Sequence, residues 1–155
     1  VDNSALPRFR YHPDPLASGS IKPDATTRCL VCGRNRGFIY QGPVFTESED
    51  LDDRLCPWCI SDGSAARKFA AEFTDSGAMD DVSDETRDEV SRRTPGFTGW
   101  QQERWLCCCR DAAAFIGPAG AAQLDRELSG AVRAVRMVLE DDYNLRGDDL
   151  EDFFA

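Results

Sequence analysis

Cys29-Leu30-Val31-Cys32-Gly33 and Cys56-Pro57-Trp58-Cys59 are the words of this sequence that decide its organisation. In a CxxC turn both sulfurs point to one side, and backbone N–H groups aim at them. Two such turns supply four thiolates, which suit the tetrahedral, borderline-soft Zn²⁺ ion. Gly33 follows the first pair, where a sharp turn calls for the positive φ that glycine adopts without steric cost. Between the pairs, Phe38, Tyr40, Val44 and Phe45 are strand formers around the turn-prone Gly42-Pro43, so the chain can return and bring the pairs together. This spacing predicts a zinc-ribbon-like unit over residues 29–59 that holds one structural ion. Four protein ligands leave no open position for substrate, so the ion is expected to build the fold and not to catalyse. The competing uses of CxxC pairs are thioredoxin-like redox chemistry, which Cys56-Pro57-Trp58-Cys59 before a helix resembles locally, and iron–sulfur ligation. Two matched pairs favour zinc.

The remaining cysteines, Cys107, Cys108 and Cys109, bring the count to seven. An odd number at these spacings does not suit a secreted disulfide framework, and thiolate–metal sites belong to reducing compartments, so the expected location is cytoplasmic. No apolar run approaches the roughly 18 residues of a membrane span, and no signal-peptide pattern is visible. The formal net charge is −10. Phosphate neutralisation needs clustered Lys and Arg; nucleic acid is therefore disfavoured, although Arg28, Arg34 and Arg36 gather around the first cysteine pair.

Outward from the cysteines, residues 1–28 contain Pro7, Pro13, Pro15 and Pro23 and read as an extended arm, anchored through Phe9, Tyr11 and Ile21. The acidic run Glu47 to Asp53 reads as an exposed loop. Residues 60–147 read as mainly helical. One helix is expected over Gly63–Phe73, with Ala66, Phe69, Ala70 and Phe73 on one face and Asp62 or Ser61 as cap. A second is expected over Asp84–Arg93, stopped before Pro95. A third spans Trp100–Arg110, and a long one Ala121–Leu139. Residues 148–155 form an acidic tail.

Three further groups are candidates for function. Trp100, Gln102 and Glu103 could line a pocket together with His12, Glu103 serving as general acid or base; the plainer reading makes the tryptophans core anchors and His12 a structural hydrogen-bond donor. Cys108 and Cys109 form a possible second thiol site. On a helix, however, consecutive side chains diverge by about 100 degrees, so three neighbouring sulfurs would not share one small site. Asp62 and Ser64 read as capping residues.

Several words occur together: Phe9-Arg10-Tyr11-His12-Pro13-Asp14-Pro15-Leu16, Leu55-Cys56-Pro57-Trp58-Cys59-Ile60 through Asp62-Gly63-Ser64-Ala65-Ala66, Arg93-Thr94-Pro95-Gly96-Phe97, and Gly99-Trp100-Gln101-Gln102-Glu103. In these the chain resembles the bacterial CbrC family, linked by name to colicin E2 tolerance, over residues 7–120. The resemblance implies a small cytoplasmic protein with a four-cysteine metal unit and names no reaction. Relatives usually carry His-Cys where this chain has Cys108-Cys109, and they tend to end in a further CxxC-type pair that this chain lacks.

Together these readings predict a small single α+β domain with a zinc-ribbon-like unit, a short antiparallel sheet and several helices. The expected function is an intracellular interaction or regulatory protein with a protein partner, in bacterial stress or bacteriocin tolerance. The alternatives are an enzyme with a pocket around Gln102, Glu103 and His12, and a nucleic-acid-binding zinc ribbon.

Overall fold

The computed structural model of the protein describes residues 5–48, 51–99, 103–127 and 130–154. Among them run β1 (Ile21–Asp24), β2 (Gly37–Tyr40), α1 (Pro57–Ser61), α2 (Ser64–Phe69), a 3-10 turn (Ser76–Ala78), α3 (Asp84–Arg93), β3 (Cys107–Cys108), β4 (Asp111–Ala112), α4 (Ala121–Glu127), α5 (Ala131–Asp141) and α6 (Asp148–Phe154). The class is α+β, as expected, with two short antiparallel sheets among the described residues. No helix of these residues is long and apolar enough to cross a membrane. The chain divides into two compact units, the first ending at Gly117 and the second starting at Pro118.

In the first unit the described part of the proline-rich arm is irregular, turns over Pro15–Gly19 with Ser18 N–H donating to Asp14 O at 3.2 Å, and becomes a strand only at its end, which pairs with the cysteine unit. β1 lies antiparallel to β2, with Ile21 opposite Tyr40 and Pro23 opposite Phe38. Proline is tolerated there because β1 is an edge strand and needs no donor on its open side. The backbone N–H of Tyr40 then donates to the Leu55 carbonyl at 2.9 Å, which ties the approach to the second cysteine pair against β2. The core that forms at this junction contains Phe9, Ile21, Tyr40, Leu55, Ile60, Ala65 and Phe73, together with Cys29, Cys56 and Cys59. The thiols are therefore packed inside the main apolar cluster. A second cluster gathers Tyr11, Met79, Val90 and Trp105, with Phe97 and Phe115 stacked at 3.7 Å beside it.

α3 forms over the expected residues. Ser83 caps it by accepting the Thr86 N–H at 3.1 Å, and Arg92 and Arg93 sit in its last turn, where cations favour the helix dipole. The other helix expectations need correction. The helix expected over 63–73 starts at Ser64, with Gly63 in the left-handed region, and stops at Phe69 because Ala70 turns left-handed at φ 49°. The chain beyond Ala70 is extended, and Glu72 bridges to Phe45. Asp62 still contributes at the entry, accepting the Ser64 N–H at 2.8 Å.

The helix expected over Trp100–Arg110 is not formed. Residues 100–102 lie outside the described residues, and 107–112 form the β3–β4 hairpin, with Cys107 opposite Ala112 and Cys108 opposite Asp111. Tryptophan and cysteine are mediocre helix formers. The hairpin also gives the Trp105 indole N–H a partner, the Ala113 carbonyl at 2.8 Å, while Ala113 N–H donates to Leu106. In the second unit, the long helix expected over 121–139 is broken: Gly130, at φ 88°, separates α4 from α5. The acidic tail is helical as α6, and Arg136 of α5 binds Glu151 of α6 with both terminal nitrogens at 2.7 and 2.9 Å.

Candidate metal centre

The first cysteine pair sits on a turn closed by two backbone bonds: Gly33 N–H donates to Cys29 O at 2.8 Å, and Cys29 N–H donates to Arg34 O at 3.0 Å. Gly33 has φ 69°, the conformation expected of it. The second pair opens α1, where Pro57 occupies the first turn and has no N–H to leave unsatisfied. Leu30 N–H donates to Arg54 O at 2.9 Å and joins the two turns. As a result, the Sγ atoms of Cys29, Cys32, Cys56 and Cys59 all lie within 4.8 Å of one another. A tetrahedral zinc–thiolate site, with Zn–S near 2.3 Å, has S···S edges of about 3.8 Å. Cys32 and Cys56 are already 3.9 Å apart.

Three of the four cysteines are buried and Cys32 is exposed. The Cys56 N–H donates to the Cys29 sulfur at 3.3 Å, an amide-to-sulfur bond from the second turn to the first. Hydrogen bonds from Cys56 and Cys59 hold Cys29 well below the usual thiol range, while their contact with Cys29 pushes Cys56 above it and Cys59 up to about 12. The thiol protons are shared out across one tightly coupled cluster. A divalent ion would replace those protons with its own charge. The donor set fits a metal ion that takes four soft thiolates, and burial leaves Cys32 as its one contact with solvent. Basic groups lie close by: Lys68 Nζ donates to Leu30 O at 2.8 Å, and the Arg36 guanidinium stacks 4.5 Å above the Trp58 ring.

The other candidates fall elsewhere. His12 is fully buried in the arm; Nδ1 lies 2.7 Å from the Pro95 carbonyl and Nε2 2.7 Å from Ser18 Oγ, and its ring meets Phe115 edge-on. The Pro95 carbonyl can only accept, so Nδ1 carries a proton, while Nε2 faces the Ser18 hydroxyl, which also reaches Pro15 O and Ser20 Oγ, each at 3.2 Å. Burial lowers the His12 pKa, against the opposing pull of Pro95 O and Asp14. Glu103 is half-buried, and its carboxylate accepts the Gly99 N–H. Trp100 and Gln102 lie outside the described residues. Arg28 and Arg34 are exposed.

Two features stand out, the Cys108–Cys109 pair named in the sequence and a cleft that was missed there. Cys108 and Cys109 are brought together, their Sγ atoms 2.8 Å apart on the exposed hairpin tip. The second is a mostly apolar cleft of about 360 Å³ lined by Phe97, Trp105, Leu106, Ala113 and Phe115. Most of its walls come from the residues on either side of the hairpin, which the helix expected over 100–110 would have kept apart.

No solved structure matches the chain. Among curated proteins, it is 49% identical over 150 residues to UPF0167 protein Mb2317 of Mycobacterium bovis, covering 96% of this chain and 78% of that protein. The match to UPF0167 protein MT2352 of Mycobacterium tuberculosis has the same identity and coverage. UPF0167 protein PA1536 of Pseudomonas aeruginosa is 52% identical over 124 residues, 79% of this chain and 69% of that protein. The family model described as "Uncharacterised protein family (UPF0167)" matches residues 6–155, and with these relatives it shows that the chain belongs to the UPF0167 family.

Proposed function

We propose that this is a zinc protein whose four-thiolate centre is structural and whose work is done by its surface, as an interaction or regulatory protein of the bacterial cytoplasm. The observation that carries this reading is the convergence of Cys29, Cys32, Cys56 and Cys59 within 4.8 Å, three of them inside the main core. Four soft ligands suit zinc, and they fill its tetrahedral shell, leaving no position for a substrate. Seven free thiols agree with a reducing compartment. The resemblance to the CbrC family adds bacteriocin tolerance as the setting. The enzyme reading through His12 and Glu103 draws less support, because both His12 nitrogens are engaged within the protein.

Metal analysis of protein purified under reducing conditions tests the centre. One zinc ion per chain is expected, and Cys56→Ser should lose both the ion and the folded state, since such sites contribute roughly 10 kcal/mol or more to folding. A Cys56→Ser chain that kept stoichiometric zinc and full stability would overturn the assignment. Affinity capture from a native host tests the interaction role: a stoichiometric protein partner is expected, and turnover of a small molecule without one would replace the reading by an enzymatic one.

A further inference from the structure

The tip of the β3–β4 hairpin is built in an unusual way. Its two turn residues, Cys109 and Arg110, have φ 59° and 67°. A two-residue hairpin with both central φ values positive normally takes Asn-Gly or Asp-Gly, because a Cβ disfavours that region. Here the turn is made by a cysteine and an arginine, and it sets the Cys109 sulfur against that of its neighbour Cys108, 2.8 Å away. Both residues are exposed. Cys107 belongs to a different surrounding: it is half-buried, and its thiol donates to the Trp105 carbonyl at 3.6 Å. The pair also borders an open cleft of about 670 Å³, lined by Asp81, Val82, Ser83, Cys109 and Arg110.

We propose that Cys108 and Cys109 form a vicinal dithiol site that captures a soft thiophile as a two-sulfur chelate, with trivalent arsenicals as the ligand class. Two sulfurs set side by side on adjacent exposed residues of one turn close a chelate ring with little loss of freedom, and χ1 rotation of the two side chains supplies the adjustment. The chemistry balances without an oxidant. An arsonous centre R–As(OH)₂ condenses with two thiols to R–As(SR)₂; two As–O bonds break, two As–S bonds form, the thiol protons leave in two water molecules, and arsenic stays trivalent. Neutral thiols suffice. The cleft beside Cys109 gives the organic substituent a place to lie, and the site shares no ligand with the four-cysteine centre.

Phenylarsine oxide is the probe. Reduced, zinc-loaded full chain is treated with one equivalent and followed by intact-mass spectrometry, peptide mapping and zinc analysis. The expected result is one adduct on the hairpin peptide that survives excess glutathione, is removed by 2,3-dimercaptopropanol, and leaves zinc in place. Cys108→Ser and Cys109→Ser should each weaken capture at least tenfold, whereas Cys107→Ser should retain it. The proposal is overturned if wild type takes no adduct, if a monothiol strips it, or if Cys108→Ser and Cys109→Ser capture the probe as well as wild type. An adduct mapped to residues 29–59 with zinc released also overturns it. Zinc content before treatment reports on the metal centre separately, so failure of one assignment is distinguishable from failure of the other.

Discussion

The phenolic oxygen of Tyr40 accepts the backbone N–H of Gly96 at 3.1 Å and donates its own proton to the Pro43 carbonyl at 2.8 Å. One buried hydroxyl thereby joins β2, the turn after it and the segment after α3. Burial raises the Tyr40 pKa well above the usual tyrosine range, so the group stays neutral. Tyr40→Phe keeps the edge-on contact with Phe73 at 5.4 Å but leaves the Gly96 N–H unpartnered in the core. The expected loss is about 1–3 kcal/mol, read as a lower urea midpoint at unchanged slope.

Gly96 itself tolerates no side chain. A Cβ built there would lie 1.8 Å from the Phe73 carbonyl oxygen and 3.0 Å from the Tyr40 hydroxyl. The nearer clash is with backbone, so no rotamer change relieves it. Gly96→Ala should cost about 3 kcal/mol or more, and the variant should populate insoluble or unfolded protein in a solubility and thermal-melt comparison.

His12 gives a pH dependence whose sign follows from its burial. The folded-state pKa lies below the unfolded value of about 6.5, so the unfolded chain takes up the proton first. Stability contributed by the neutral ring is fully present above that value and is lost as pH falls through the folded pKa. Urea midpoints measured from pH 8 down to pH 5 should decline, and His12→Gln should flatten that decline. An identical pH slope in both proteins would refute the account.

Ala70 ends α2 in the left-handed region at φ 49° and ψ 34° and is exposed. Glycine avoids the Cβ penalty of that conformation and loses part of the gain to its freer unfolded chain. Ala70→Gly should stabilise the protein by about 0.5–1 kcal/mol, visible as a rise in Tm.

The four-cysteine cluster was legible in the sequence because its members lie in two short turns whose geometry is local. Helix α3 was legible for a similar reason: Ser83, Arg92, Arg93 and Pro95 mark its ends within a few residues. The hairpin at 107–112 was not, since its strands are held by the Trp105 indole, which bonds to Ala113 across the turn. The left-handed turn at Ala70 was hidden as well. Alanine is the strongest helix former, and here extended pairing of Glu72 with Phe45 overrides that preference. His12 reads in the sequence as either pocket or packing, and only long-range contact with Pro95 distinguishes its surroundings.

The latching of the arm has a consequence for the order of events during synthesis. Tyr11 reaches Asp111 with its hydroxyl at 2.7 Å, the Tyr11 carbonyl accepts the Phe115 N–H at 2.8 Å, and His12 holds Pro95. The arm leaves the ribosome before any of these partners exists. At about 5–20 residues per second, the hundred or so residues between them take roughly 5–20 s to translate. The cysteine turns, nearer together along the chain, are complete long before that. A nascent chain can therefore pair β1 with β2 and gather its four thiols while Tyr11 and His12 still lack these partners, and that stretch of the arm closes the first unit last.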